Sequence, residues 1–156
     1  MHVVPKSGFI PAAVTRLTGL EYHAGKMFHQ CREVPAQSAR EALTSFNEWL
    51  LALPRRLLVA HNATFDARML VCKYAEEQLH FPAITAFADS LRFFRHIYPG
   101  RKTYSLTSLF EDIERNPFNA HDALEDVRAL STIIKIDTNF GNLEKCFISS
   151  GSIVLK

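Results

Sequence analysis

The chain has 156 residues, 47% of them hydrophobic and 22% charged, with a formal net charge of +2. That length suits one domain with a real core, a charge so near neutrality does not by itself announce a nucleic-acid partner, and no apolar run approaches the ~18 residues of a membrane span. Cys31, Cys72 and Cys146, odd in number and without ligand spacing, argue against a disulfide framework or a zinc site; with no signal peptide at the start, they point to an intracellular setting, nucleus or cytoplasm.

In chain order, His2-Val3-Val4-Pro5 reads as the tail of a strand, stopped because proline cannot donate to a ladder. Phe9 to Leu20 reads as a short irregular or helical piece closed by Gly19. The spacing predicts a helix over Ser38–Leu53. Ser38 and Glu41 stand at capping-box separation, Leu43, Phe46, Leu50 and Leu53 recur on one face, and Pro54 ends it. Leu57-Leu58-Val59-Ala60 lacks polar alternation, the pattern of a strand buried on both faces of a parallel or mixed sheet. After the polar turn His61-Asn62-Ala63-Thr64, a helix is predicted from about Phe65 to Leu79, its apolar Phe65, Met69 and Cys72 at i, i+4 and i+7. A short strand fits Ile84–Ala88, ending at Asp89. A short helix starts near Leu91 and breaks at Pro99-Gly100, and another covers about Ser105–Ile113. Asn119 stands as the N-cap of a last helix reaching about Ile134, with Asp122 favouring its dipole and Leu124, Val127 and Leu130 apolar. Past Asp137 the pattern dissolves, and Cys146–Lys156 reads as a strand-like tail. Strands alternating with helices give the α/β class.

Two segments carry candidate chemistry. In Leu57–Leu70, His61 and Asn62 follow the end of a buried strand, where ligands bind in open α/β sheets, and Asp66 sits on the first turn of the next helix. In Asn119–Leu130, His121, Asp122, Glu125 and Asp126 crowd the start of a helix, and Asp122 and Asp126 share a stripe. Each segment alone has an ordinary reading as well. Asp66 stabilises a helix dipole, Asn62 makes an Asx turn, and the second segment is an acidic, solvated helix start.

Together the segments resemble the DEDDh exonucleases, the DnaQ-like branch of the ribonuclease H-like fold. His61, Asn62, Phe65 and Asp66 match the family's H-N-x-x-F-D motif. His121 and Asp126 match its histidine five residues before an aspartate. Between them, Asp89-Ser90-Leu91 matches D-[ST]-L, and Ser105-Leu106-Thr107-Ser108-Leu109 matches S-L-x-x-L. Thr18-Gly19-Leu20 resembles the turn that members place between their first and second motifs, and the likeness covers roughly Val3 to Ile134. Within the family, three-prime repair exonucleases and the exonuclease-like segment of PML-type proteins look nearest.

The resemblance implies 3′→5′ hydrolysis of phosphodiester bonds at single-stranded DNA or RNA ends by two Mg²⁺ or Mn²⁺ ions, held by carboxylate oxygens. Asp126 would then bind metal directly, Asp66 would support the second ion, and His121 would act as general base on the attacking water. His61, Asn62 and Leu20 would contact nucleic acid. The family's first motif, D-x-E-T, has no match ahead of Thr18, since residues 1–17 contain neither Asp nor Glu; Asp112-Ile113-Glu114 lacks a preceding apolar strand and reads as surface charge. The expectation is therefore an N-terminally truncated exonuclease domain over residues 1–136, first strands missing, its mixed sheet flanked by helices. Residues 137–156 would form a tail in which Phe147–Leu155 covers the open edge of Leu57–Ala60. Catalysis by this chain alone is expected to be impaired. The rival readings are a non-catalytic nucleic-acid-binding or regulatory module on the same fold, and a structural interaction domain.

From Leu91 to Tyr104, Arg92, Arg95, His96, Arg101 and Lys102 alternate with Phe93, Phe94, Tyr98 and Tyr104. Cations neutralise phosphates and aromatics stack on unpaired bases, which makes the loop residues Arg101 and Lys102 candidate nucleic-acid contacts. The alternative is that Phe93, Phe94 and Ile97 are core and the arginines form a wet helix face.

Overall fold

A computed structural model describes residues 2–54, 56–82, 84, 86–117, 122–135 and 141–148. The backbone falls into two units, Met1–Leu53 with Lys73–His80, and Pro54–Cys72 with Phe81–Lys156.

In the first unit, strand β1 (His2–Val3) stops before Pro5, and helix α1 (Ala12–Thr18) closes on Gly19. Gly19 has φ 69°, and a Cβ there would meet the Gln30 side chain at 3.2 Å, so both backbone and space favour glycine. Three strands that the sequence pattern did not announce follow. β2 (Leu20–His23), β3 (Lys26–His29) and β4 (Arg32–Val34) form an antiparallel meander. Its turns place Ala24 and Gly25, then Gln30 and Cys31, at positive φ (52°, 78°, 50° and 63°). Paired left-handed residues match the twist of a tight hairpin, but turns of this kind are normally marked by Asn, Asp or Gly, and only Gly25 is one of these. β5 (Ala36–Gln37) pairs parallel with β1. α2 (Ala39–Leu51) carries the predicted capping box: Glu41 N donates to Ser38 Oγ at 3.2 Å and Ser38 N to Glu41 Oε2 at 2.8 Å. Leu43 and Leu50 are its buried face.

In the second unit, β6 (Leu57–Ala60) leads into α3 (Ala63–Glu76), whose last residues belong to the first unit. β7 (Ala86–Asp89), α4 (Ser90–Ile97), α5 (Leu106–Glu114), α6 (Ala123–Lys135), α7 (Gly141–Glu144) and β8 (Phe147–Ile148) follow. β6 runs parallel to β7 with Ala60 opposite Asp89, and β8 runs antiparallel on the other side of β7, with Phe87 opposite Ile148. Because successive strand residues face opposite ways, each face has its own core. Phe87, Ile148 and Leu58 pack with Ala63 and Ala67, whereas Ala88, Leu57 and Phe147 pack with Phe93, Phe94, Leu109, Leu130 and Ile133. This is the mixed α/β architecture, sheet flanked by helices, that the resemblance implied.

Four details depart from the sequence pattern. β6 lies at the sheet's end and is not buried on both faces, since Val59 is exposed. On α3, Phe65 and Met69 are 62% and 51% exposed, and the inward residues are Ala63, Ala67, Leu70 and Val71. Alanines let the helix backbone approach the sheet face that Phe87 and Ile148 fill. On α6, Leu124 and Val127 are likewise exposed, and Ala129, Leu130, Ile133 and Ile134 are buried. The described part of the tail pairs with β7 rather than covering β6, and Ser149–Lys156 lie outside the described residues. Asn119 also lies outside them; Asp122 Oδ1 accepts from Leu124 N at 2.9 Å and from Glu125 N at 3.1 Å, capping the first turn of α6.

Among the described residues no helix is long and apolar enough to cross a membrane. Leu109→Ala is expected to lower the unfolding free energy by about 2–5 kcal/mol. Phe65→Ala should change it by only about 0.5 kcal/mol. Denaturant titration followed by circular dichroism checks both, and equal losses would contradict the outward placement of Phe65.

Candidate active-site turn at the end of β6

The parallel register that sets Ala60 opposite Asp89 brings the turn after β6 against the start of α4. Asn62 has φ 70°, a left-handed conformation that asparagine tolerates better than most residues. Its N–H donates to Asp89 Oδ1 at 3.1 Å, and its carbonyl accepts from Phe65 N at 3.0 Å. Asp89 Oδ1 also accepts from Leu91 N at 3.0 Å, capping α4, while Oδ2 lies 3.7 Å from Arg92 Nε. The Ser90 hydroxyl is 3.2 Å from the Ala60 carbonyl and 3.0 Å from His61 Nδ1. His61 Nε2 is 2.6 Å from the Tyr104 carbonyl, which can only accept, so that nitrogen carries the proton and donates it. Tyr104 is itself fixed: its hydroxyl donates to the Tyr98 carbonyl at 2.7 Å and accepts from Arg101 N at 3.2 Å, with Arg95 over its ring.

Asp66 opens toward solvent from the first turn of α3. Partial loss of hydration holds its carboxyl above the ordinary aspartate range, and the negative charge of Asp89 pushes the same way; its own backbone N–H and His61 pull in the other direction. A perturbed carboxyl facing solvent beside a second acid is a functional-site signal. Asp126 is half-buried on the first turn of α6, its N–H donating to the Asp122 carbonyl at 2.9 Å. His121 lies outside the described residues. Leu20 begins β2, half-buried, its N–H donating to Thr18 Oγ1 at 3.2 Å.

Thus the fold brings His61, Asn62, Asp66, Asp89 and Ser90 together with the Tyr104 carbonyl. Sequence reasoning used Asp89 and Ser90 only as landmarks. The available signal was a polar pair ending an apolar strand, because such a pair must find partners if it is buried. Among the described residues no group of three or more His, Cys, Asp and Glu side chains is arranged to hold a metal ion.

Of the basic candidates, Arg101 is committed internally. Its Nη2 donates to the Ser108 carbonyl and hydroxyl, each at 3.2 Å, it ion-pairs with Asp112, and its side chain is only 22% exposed. Lys102 is exposed, and Phe93 and Phe94 are core.

Asp66 carries a sign-definite consequence for stability. A carboxyl whose folded pKa lies above its unfolded one favours the fold below the unfolded value and loses that contribution as pH rises through the folded value. Asp66→Asn should therefore raise the melting temperature at neutral pH, and the gain should close as pH falls below the ordinary 3.8. Melting curves at pH 7 and pH 3 check this; a lower melting temperature for the variant at pH 7 would refute it.

Comparison with known proteins identifies the family. The exonuclease family model matches residues 7–134. A DNA polymerase III PolC-type protein of Caldanaerobacter subterraneus subsp. tengcongensis is 32% identical over 130 residues, 83% of this chain. A DNA polymerase III PolC-type protein of Lactococcus lactis subsp. lactis is 32% identical over 100 residues, 64% of this chain. The chain spans only 8% and 6% of the lengths of these relatives. Matched by the family model through the β6 turn, the D-S-L segment and the α6 start, this chain belongs to the exonuclease family of DEDDh type, with the ribonuclease H-like fold.

Proposed function

We propose that the chain provides an exonuclease-type domain that hydrolyses phosphodiester bonds at the 3′ ends of single-stranded DNA or RNA. One observation carries the reading: within the matched segment, Asp66 is presented by a turn that buried polar groups hold in place, and Asp126 stands on the first turn of α6. In the reaction, water oxygen bonds to the terminal phosphorus as the bond to the preceding sugar's 3′ oxygen breaks, releasing a nucleoside 5′-monophosphate. His121, five residues before Asp126, takes the proton of the attacking water. On this reading His61, Asn62, Leu20 and Lys102 contact the nucleic acid, and Arg101 supports the loop that carries Lys102.

The family generally uses divalent metal ions, and Mg²⁺ or Mn²⁺ suits carboxylate donors such as Asp66 and Asp126. Among the described residues no group of three or more such donors is arranged to hold an ion. These 156 residues alone are proposed to turn over slowly. The same incompleteness favours a second reading, a binding or regulatory module that keeps the groove without the chemistry.

A 5′-labelled single-stranded oligonucleotide incubated with the chain and Mg²⁺ or Mn²⁺ separates the two. The expected result is weak, metal-dependent shortening from the 3′ end, reduced about 100-fold or more in Asp126→Ala. Binding without any shortening would establish the second reading. Rapid degradation that disappears in Asp126→Ala would overturn the proposed impairment.

A further inference from the structure

Two consecutive side chains, Asp89 and Ser90, are the buried polar residues of the described chain, 3% and 0% exposed. Burying such groups costs free energy unless their bonds are made; Asp89 also caps α4 through Leu91 N and faces Arg92, and the remaining bonds of the pair converge on one place. Asp89 Oδ1 takes the Asn62 N–H, and the Ser90 hydroxyl lies between the Ala60 carbonyl and His61 Nδ1. Across the register, the last residue of β6 and the two turn residues after it are thus gripped by the last residue of β7 and the first of α4.

We infer that Asp89 and Ser90 are positioning residues, fixing the His61–Asn62 turn and through it the place from which Asp66 meets the substrate. Three features carry this. Asn62 adopts φ 70°, a conformation that asparagine enters at a cost and that an outside grip must hold. The imidazole of His61 is bonded at both nitrogens, to the Ser90 hydroxyl and the Tyr104 carbonyl, so it works as a bridge between α4 and the loop before α5 rather than as a free base. The turn then runs directly into α3: the Asn62 carbonyl accepts from Phe65 N, leaving Asp66 one residue beyond a fixed hydrogen bond. Neither Asp89 nor Ser90 faces solvent, so neither touches substrate itself. The inference rests on the exonuclease reading for what Asp66 does, but the grip itself is independent of it.

The test uses the full chain and two readouts. Nitrogen-15 spectra of the His61 ring report the bridge, and anisotropy of a fluorescein-labelled single-stranded DNA reports the site, with melting curves confirming that each variant is folded. Ser90→Ala should move the His61 Nδ1 resonance and weaken oligonucleotide binding about fivefold, the factor that one neutral hydrogen bond supplies. Asp89→Asn, which keeps an acceptor for the Asn62 N–H, should retain more affinity than Asp89→Ala, which leaves that donor orphaned. A merely structural role would lower the melting temperature of both Asp89 variants without separating their affinities. Unchanged His61 nitrogen shifts in folded Ser90→Ala, or equal affinities for the two Asp89 variants, would overturn the positioning role. Failure of the wild-type chain to bind the oligonucleotide would sink the exonuclease reading, and the His61 spectrum would then decide the positioning role alone.

Discussion

The parallel pairing of β6 with β7, in the register that puts Ala60 opposite Asp89, is the constraint on which the candidate site depends. A shift of one residue would turn every side chain of β6 to the other face, exchanging Leu57 and Leu58 between two separate cores. The same shift would carry Asn62 N–H away from Asp89 and deprive a buried carboxylate of one of its two backbone donors. Hydrophobic and polar requirements therefore select the same register, and agreement between levels of this kind is what makes a fold specific.

Much of this was legible because it is written locally. Ser38 and Glu41 announce α2 across three residues, and His61, Asn62 and Asp66 lie within one turn and the helix that follows it. What was not legible depends on partners far along the chain. Asp89 meets Asn62 at a separation of 27 residues, and Ser90 meets Ala60 at 30, so nothing near Asp89 tells what its carboxylate will bind. The β2–β4 meander escaped for a different reason. Its turns take left-handed backbone at Ala24, Gln30 and Cys31, residues that do not advertise it. The α3 stripe was misread because periodicity weighs large apolar side chains, whereas the sheet there accepts the small Ala63 and Ala67.

The basic residues make the same point about charge. Arg101 and Lys102 are neighbours in one loop and indistinguishable by composition, yet their surroundings divide them. The planar fork of Arg101 suits several acceptors at once, and Ser108 and Asp112 provide them. Arg101 is thereby a staple between the loop and α5. Lys102, a point charge on a flexible stem, stays in solvent. The loop that the staple holds also contains Tyr104, whose carbonyl accepts a hydrogen bond from His61 Nε2, so Arg101 contributes to the scaffold around the turn.

Asp66 and Asp89 are both aspartates near one turn, and their environments give them opposite tasks. Asp89 is buried among donors, two backbone N–H groups and Arg92. Asp66 is left with few such donors, loses hydration, and feels the charge of its neighbour. Fold stability alone would favour a neutral residue at Asp66, whereas Asp89 is required by the architecture. An exposed acid on a helix start, next to a turn that buried side chains hold by hydrogen bonds, is placed as a supported functional group would be. On the proposed reading, the arrangement separates structural from chemical duty within one pair of carboxylates, according to which of the two the backbone donors face.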